Sequence, residues 1–116
     1  MAAPVNYFEI GTPNPEQAQH FYGDLFGWTT GEPSPVGYRM INGQAGGLWD
    51  TSGLGHASWG IFYVQVDDVA GTVAQAEALG ATVVIPLVDS DALEFAHLAD
   101  PQGNRFGVWR PKTAQQ

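Results

Sequence analysis

Tyr7-Phe8-Glu9-Ile10-Gly11-Thr12-Pro13-Asn14-Pro15-Glu16 reads as a strand that turns at once into a helix. Nearly the same statement recurs in Ile61-Phe62-Tyr63-Val64-Gln65-Val66-Asp67-Asp68, about 56 residues on when Glu9-Ile10 is aligned with Gln65-Val66. In each copy an alternating strand meets Asp, Asn, Pro or Thr and opens an amphipathic helix that ends at glycine. Two similar halves usually enclose one site. The repeat therefore bounds the architecture, while the function has to be read from the side chains that line the space between the halves.

Working outward, the first strand puts Tyr7 and Glu9 on one face and Phe8 and Ile10 on the other. Asn14 is placed to cap the helix, and Pro15 takes its first position, where a missing N–H costs nothing. Ala18, Phe21, Tyr22, Leu25 and Phe26 then recur at helical spacing, and Gly27 is placed to end the helix. Trp28 to Thr30, Tyr38 to Ile41 and Ala45 to Trp49 are short strand candidates, and the glycine-containing stretch from Asp50 to His56 is the natural joint. In the second half Asp67-Asp68 caps a helix with an apolar stripe of Val69, Val73, Ala76 and Leu79, closed by Gly80. Val83 to Val88, Leu93 to Ala99 and Asn104 to Trp109 complete three strands, the last two joined by the turn Asp100-Pro101-Gln102-Gly103-Asn104. The order β-α-β-β-β, twice, predicts an α+β fold with a mixed sheet in one domain, residues 1–116, with one module over 1–55 and the other over 56–116.

Composition narrows the function classes. A chain of 116 residues buries roughly two thirds of its unfolded surface, enough for a core without staples. It has no cysteine, which removes disulfides, thiolate catalysis and cysteine-based zinc motifs. The start Met1-Ala2-Ala3-Pro4 lacks a basic stretch and an apolar segment, and no apolar run approaches a membrane span, so the expectation is a soluble, cytoplasmic protein with no membrane partner. Twelve acidic against four basic residues give a formal charge of -8. That charge repels a phosphate backbone and argues against nucleic acid; a neutral or cationic small molecule is the expected partner.

Two stretches carry a resemblance to a known superfamily. Glu9 to Glu16, followed by Phe21-Tyr22-Gly23-Asp24-Leu25-Phe26-Gly27-Trp28, resembles the first module of the vicinal oxygen chelate superfamily, which includes glyoxalase I, bleomycin-resistance proteins, fosfomycin-resistance enzymes and extradiol dioxygenases. Val64 to Val69, Ala78-Leu79-Gly80-Ala81 and Asp100 to Asn104 resemble the second. The resemblance implies two βαβββ modules curled into a shared cup. In metal-dependent members it also implies a divalent ion held by His or Gln on the first strand of a module and Glu on its last. Those positions fall here on Tyr7 and Ile61, on Gly107, and near Gly46 to Leu48. None supplies the expected ligand, so no metal and no other cofactor is expected, and the metal chemistry of the superfamily does not carry over.

Alternation selects the candidate ligand-binding face: Tyr7, Ile61, Tyr63, Gln65, Arg105 and Trp109, with Phe95 from the seventh strand and Tyr38 and Met40 from the third. Broad flat apolar surfaces with a few polar groups suit a small-molecule pocket. Glu9 and His97 share that face and are the candidate catalytic pair, with His97 as acid or base and Glu9 as its orienter or the base itself. An irregular metal site on Glu9 and His97 is a further alternative. His20 and His56 read as surface residues. Three functions stay open: a metal-free binding protein of the bleomycin-resistance type sequestering a planar or cationic natural product; an isomerase-, lyase- or oxygenase-type enzyme using His97 and Glu9; and a structural or regulatory dimer with a vestigial pocket. Relatives of this size commonly pair, so a homodimer is expected.

Overall fold

A computed structural model of the chain describes residues 2–112. These divide into two compact units, one of Tyr7–Ile61 and one of residues 2–6 with 62–112. The elements are β1 (Val5–Thr12), α1 (Pro15–Phe26), β2 (Tyr38–Ile41), β3 (Gly46–Asp50), β4 (Trp59–Gln65), α2 (Val69–Ala78), β5 (Thr82–Asp89), β6 (Leu93–Ala99) and β7 (Arg105–Pro111). The fold is α+β, with strands paired both parallel and antiparallel.

In the Tyr7–Ile61 unit the strand order is β2-β3-β1. β1 runs parallel to β3 with Glu9 opposite Gly47, and β2 runs antiparallel to β3 with Met40 opposite the same glycine. α1 starts where the sequence says it must. Asn14 accepts the Gln17 amide on its side chain at 3.1 Å, Pro15 takes the first turn, and Gly27 closes the helix at φ 73°, donating its amide to the Gly23 carbonyl. That left-handed position is one that a residue with a Cβ disfavours. Ile41 and Leu48 are buried between the strands and the helix side, and Thr51 donates its hydroxyl to the Ala57 carbonyl.

One expectation fails in this unit. Trp28 to Thr30 forms no strand; Thr30 makes a single bridge to Ile41. The local bonds explain it: Thr29 gives its amide to the Asn42 side chain and takes the Asn42 amide on its carbonyl, and Gly31 bonds Met40, so the segment is tied at points rather than along a ladder. The apolar stripe of α1 is largely exposed. Pro15 is its one buried residue, and Phe21, Leu25 and Phe26 are each 58% exposed. Its rings pack on one another instead, Tyr22 stacking on Trp28 at 5.2 Å and lying 6.4 Å from Phe26.

The second unit has the strand order β4-β7-β6-β5. β4 is parallel to β7 with Tyr63 opposite Gly107, and β6 is antiparallel to β7 with His97 opposite that glycine and Phe95 opposite Trp109. Asp68 caps α2 by accepting the Gly71 amide, and Gly80 follows the helix at φ 104°. Val69, Ala96, Leu98 and Val108 form the core, with Val64, Val66, Val73, Ala76, Val83 and Phe106 around it. Because Ala96 and Leu98 turn into that core, the strand period points Phe95 and His97 to the opposite face. The turn before β7 is fixed by Asp100, whose carboxylate accepts the Gln102 and Asn104 amides. Those bonds hold its pKa below the usual carboxylate value.

Candidate functional site

In the Tyr7–Ile61 unit the polar centre is Glu9, 2% exposed in the middle of β1. Tyr38 donates its hydroxyl to Glu9 Oε1 at 3.0 Å, and Trp59 donates its indole N–H to Oε2 at 2.9 Å. The Tyr7 and Tyr38 hydroxyls lie 2.7 Å apart. Since the Tyr38 hydrogen is committed to the carboxylate, Tyr7 supplies the hydrogen between them. Met40 Sδ, 3.7 Å from the Tyr7 hydroxyl, then completes its surroundings. Burial, first of all, pushes the Tyr7 phenol up to about 12, and the negative charge of Glu9 adds to this. Trp49 stands edge-on to both Tyr38 and Trp59, at 6.1 and 5.7 Å. Ile61 is buried at the end of the same unit.

In the second unit the centre is His97, fully buried. Its Nε2 lies 2.5 Å from the Tyr63 hydroxyl, and Arg105 Nη1 reaches Nδ1 at 3.5 Å, the long limit of a hydrogen bond. A guanidinium can only donate. When the Arg105 contact is made by the neutral imidazole, Nε2 carries the hydrogen and donates to Tyr63, whose own hydroxyl hydrogen then points away from the ring. Phe95 stands edge-on to both Tyr63 and His97. Beside them Trp109 donates its indole N–H to Asn6 Oδ1 at 3.1 Å, and Asn6 donates to Gln65 Oε1 at 2.7 Å.

Thus Tyr7, Glu9, Tyr38 and Met40 come together in one unit, and Tyr63, Phe95, His97 and Arg105 in the other, with Gln65 and Trp109 joined through Asn6. His20 and His56 are exposed. Sequence reasoning missed two participants. Trp59, which flanks the glycine-containing joint, is a direct donor to Glu9; the available signal was Gly11, two residues on from Glu9 on the same face, where a Cβ would run into the indole. Asn6 falls on the opposite face from Tyr7 by alternation, so no pattern marks it.

The divalent ion of metal-dependent superfamily members can be tested against these residues. A Cβ at Gly107 would sit 2.6 Å from Tyr63 Cζ, and one at Gly47 would sit 2.6 Å from Tyr38 Cε2. The space a ligating Glu at position 107 would need is filled by a tyrosine ring. Tyr7 and Ile61, at the first-strand positions, bring no imidazole or amide. Among the described residues no group of three or more His, Asp or Glu side chains is arranged to hold a metal. The residues do not fit the ion.

A separate open groove of about 530 Å³ lies at the start of α1, lined by Asn14, Glu16, Gln17, Gln19, His20 and Arg39, with Arg39 Nη1 donating to Gln19 Oε1 at 2.6 Å. It is polar, contains no aromatic ring, and shares no residue with either hydrogen-bonded cluster.

A profile of the glyoxalase-like domain matches residues 7–109. The chain is 29% identical over 126 aligned positions to the anthracycline biosynthesis protein DnrV of Streptomyces peucetius, covering 90% of this chain and 46% of that one. It is 31% identical over 127 positions to the candidate glyoxylase CFP32 of Mycobacterium bovis, covering 90% of this chain and 44% of that one. The chain therefore spans about half the length of the curated relatives it matches. A glyoxalase/bleomycin resistance protein/dioxygenase superfamily member from Vibrio splendidus has the same fold, with a TM-score of 0.64 at 16% identity over 96% of this chain and all of that one. No helix among the described residues is long and apolar enough to cross a membrane.

Proposed function

Because the chain belongs to the glyoxalase-like domain family of the vicinal oxygen chelate superfamily, we propose that it binds a planar aromatic or cationic natural product without a metal, in the manner of a bleomycin-resistance protein. The observation that carries this reading is the placement of two tyrosine rings, Tyr38 over Gly47 and Tyr63 over Gly107, the second where a metal-ligating Glu would stand. Tyrosine rings fill the space that ligating side chains would need. Flat apolar surfaces backed by a few fixed polar groups recognise a planar molecule through dispersion, and cation–π attraction adds to this where the ligand carries positive charge. Tyr7, Tyr38, Trp49 and Trp59 around Glu9 supply such surfaces in one unit, and Tyr63, Phe95 and Trp109 supply them in the other. The relative named for anthracycline biosynthesis supports a polycyclic aromatic as the ligand class.

The test is a titration of the tryptophan fluorescence with an anthracycline in excess chelator. Saturable one-to-one quenching that Tyr38→Ala and Tyr63→Ala weaken, with folding intact, supports the reading. Quenching that appears only on adding a divalent ion, or none at all, contradicts it.

A second reading, an enzyme, is favoured by the short Tyr63–His97 contact, which gives a buried imidazole a phenolic partner of the kind used to relay a proton. In that case His97→Ala abolishes turnover and spares binding.

A further inference from the structure

Trp109 decides which way a glutamine faces. An indole N–H can only donate, so the 3.1 Å bond from Trp109 requires Asn6 to turn its side-chain oxygen toward the ring. The Asn6 nitrogen is thereby committed to Gln65, whose oxygen accepts it at 2.7 Å. One donor-only group thus sets the orientation of two amides in succession. Gln65 is left presenting its NH2, and among the described residues no acceptor takes either of those hydrogens. The nitrogen is open to the outside, since the buried side-chain atom without a partner is Arg39 Nε. The backbone beneath it is pinned: the Gln65 amide donates to the Pro4 carbonyl at 3.0 Å, and the Val66 amide to the Trp109 carbonyl at 2.9 Å.

Gln65, Trp109 and Phe95 stand opposite one another across β4, β7 and β6. Tyr63, two residues before Gln65, shares their face and stands edge-on to Phe95 at 6.4 Å. We propose that Gln65 is the specificity-determining residue of this face, its NH2 donating to a carbonyl oxygen on the edge of a planar ligand. The ligand class narrows to planar rings that carry a carbonyl, quinones among them. This inference rests on the reading that the aromatic face binds a planar molecule. An ammonium group also only donates, so this NH2 has nothing to offer a cation. The formal charge of -8 disfavours an anionic acceptor, which leaves a neutral oxygen. A donor already oriented costs little to order on binding. A ring without the acceptor leaves that donor unpaired, and this is where discrimination arises.

Tryptophan fluorescence titrations with para-naphthoquinone and with naphthalene, the same bicycle with and without carbonyls, read this directly. The chain has no cysteine to add to the quinone. The expected result is that both bind and that the ratio of quinone to naphthalene affinity falls about fivefold in Gln65→Leu, the net worth of one neutral hydrogen bond. Leu keeps the bulk and drops the donor. Asn6→Asp, at an exposed position, lowers the ratio in the same way. A carboxylate only accepts, so it takes the hydrogens of both Trp109 and Gln65 and turns the Gln65 oxygen to the ligand. An unchanged ratio in either folded variant, with naphthalene binding still weakened by Tyr63→Ala, overturns the role of Gln65 and leaves the reading of the rings standing. Failure of both probes to bind overturns the reading of the rings, and this inference with it. Should Gln65→Leu unfold, Asn6→Asp decides alone.

Discussion

Trp59 and Glu9, fifty residues apart in sequence, meet through a 2.9 Å hydrogen bond from the indole N–H to the buried carboxylate. Replacing Trp59 by Phe keeps a ring in place and removes that donor. The expected cost is about 1–3 kcal/mol, the usual penalty when a buried charged acceptor loses one of its donors. Tyr38→Phe removes the donor to the other oxygen and falls in the same range. Chemical denaturation of both single variants and the double variant checks this. The double variant should depart from the sum of the singles, because both act on one carboxylate.

Gly107 and Tyr63 are matched in shape. Gly107→Ala places a methyl group into the Tyr63 ring and should destabilise by about 1–3 kcal/mol, the range for overpacking. Tyr63→Ala opens the space, so Gly107→Ala should cost much less in that background. Equal costs in both backgrounds would mean that the ring does not lie over the glycine.

Tyr7 sets a pH signature. Its phenol titrates at about 12 in the folded chain against 10.0 for the free side chain, because burial resists the phenolate. The folded state therefore holds this proton more tightly than the unfolded one. The stability it contributes is fully present below pH 10 and is lost as pH rises from about 10 to about 12. Since the side chain is partly exposed, the loss is roughly 1–2 kcal/mol after discounting for solvent. Ultraviolet titration of the four tyrosines should show one step near the top of that window, and Tyr7→Phe should remove it and flatten the stability curve there.

Asn14→Ala tests the start of α1. Loss of the bond to the Gln17 amide should lower stability by about 1 kcal/mol, measured by thermal or denaturant unfolding, and Asn14→Asp should restore it.

Much of the fold was legible in the residues because local chemistry dictates it: Asn14 and Pro15 open α1, Gly27 ends it, Asp68 opens α2, and Asp100 fixes the turn before β7. Trp28 to Thr30 misled because β propensity says nothing about whether the neighbouring backbone is free to pair, and Asn42 had already taken the Thr29 amide. Helical spacing found the apolar stripe of α1 without saying what it meets. At the candidate site, alternation grouped Tyr7 with Glu9 and Phe95 with His97. It could not find the Trp59 indole, whose bond to Glu9 depends on the path of the loop between β3 and β4. The role of Gly107 is legible only once the Tyr63 ring is seen to fill its place.

Native mass spectrometry of the protein mixed with an anthracycline after exhaustive chelation, followed by recovery of the ligand, tests metal-independent binding most directly. The predicted result is a complex with one ligand per chain and no metal, from which the ligand is released with its mass unchanged. A complex that forms only when a divalent ion is restored, or a ligand recovered as a different compound, would contradict it.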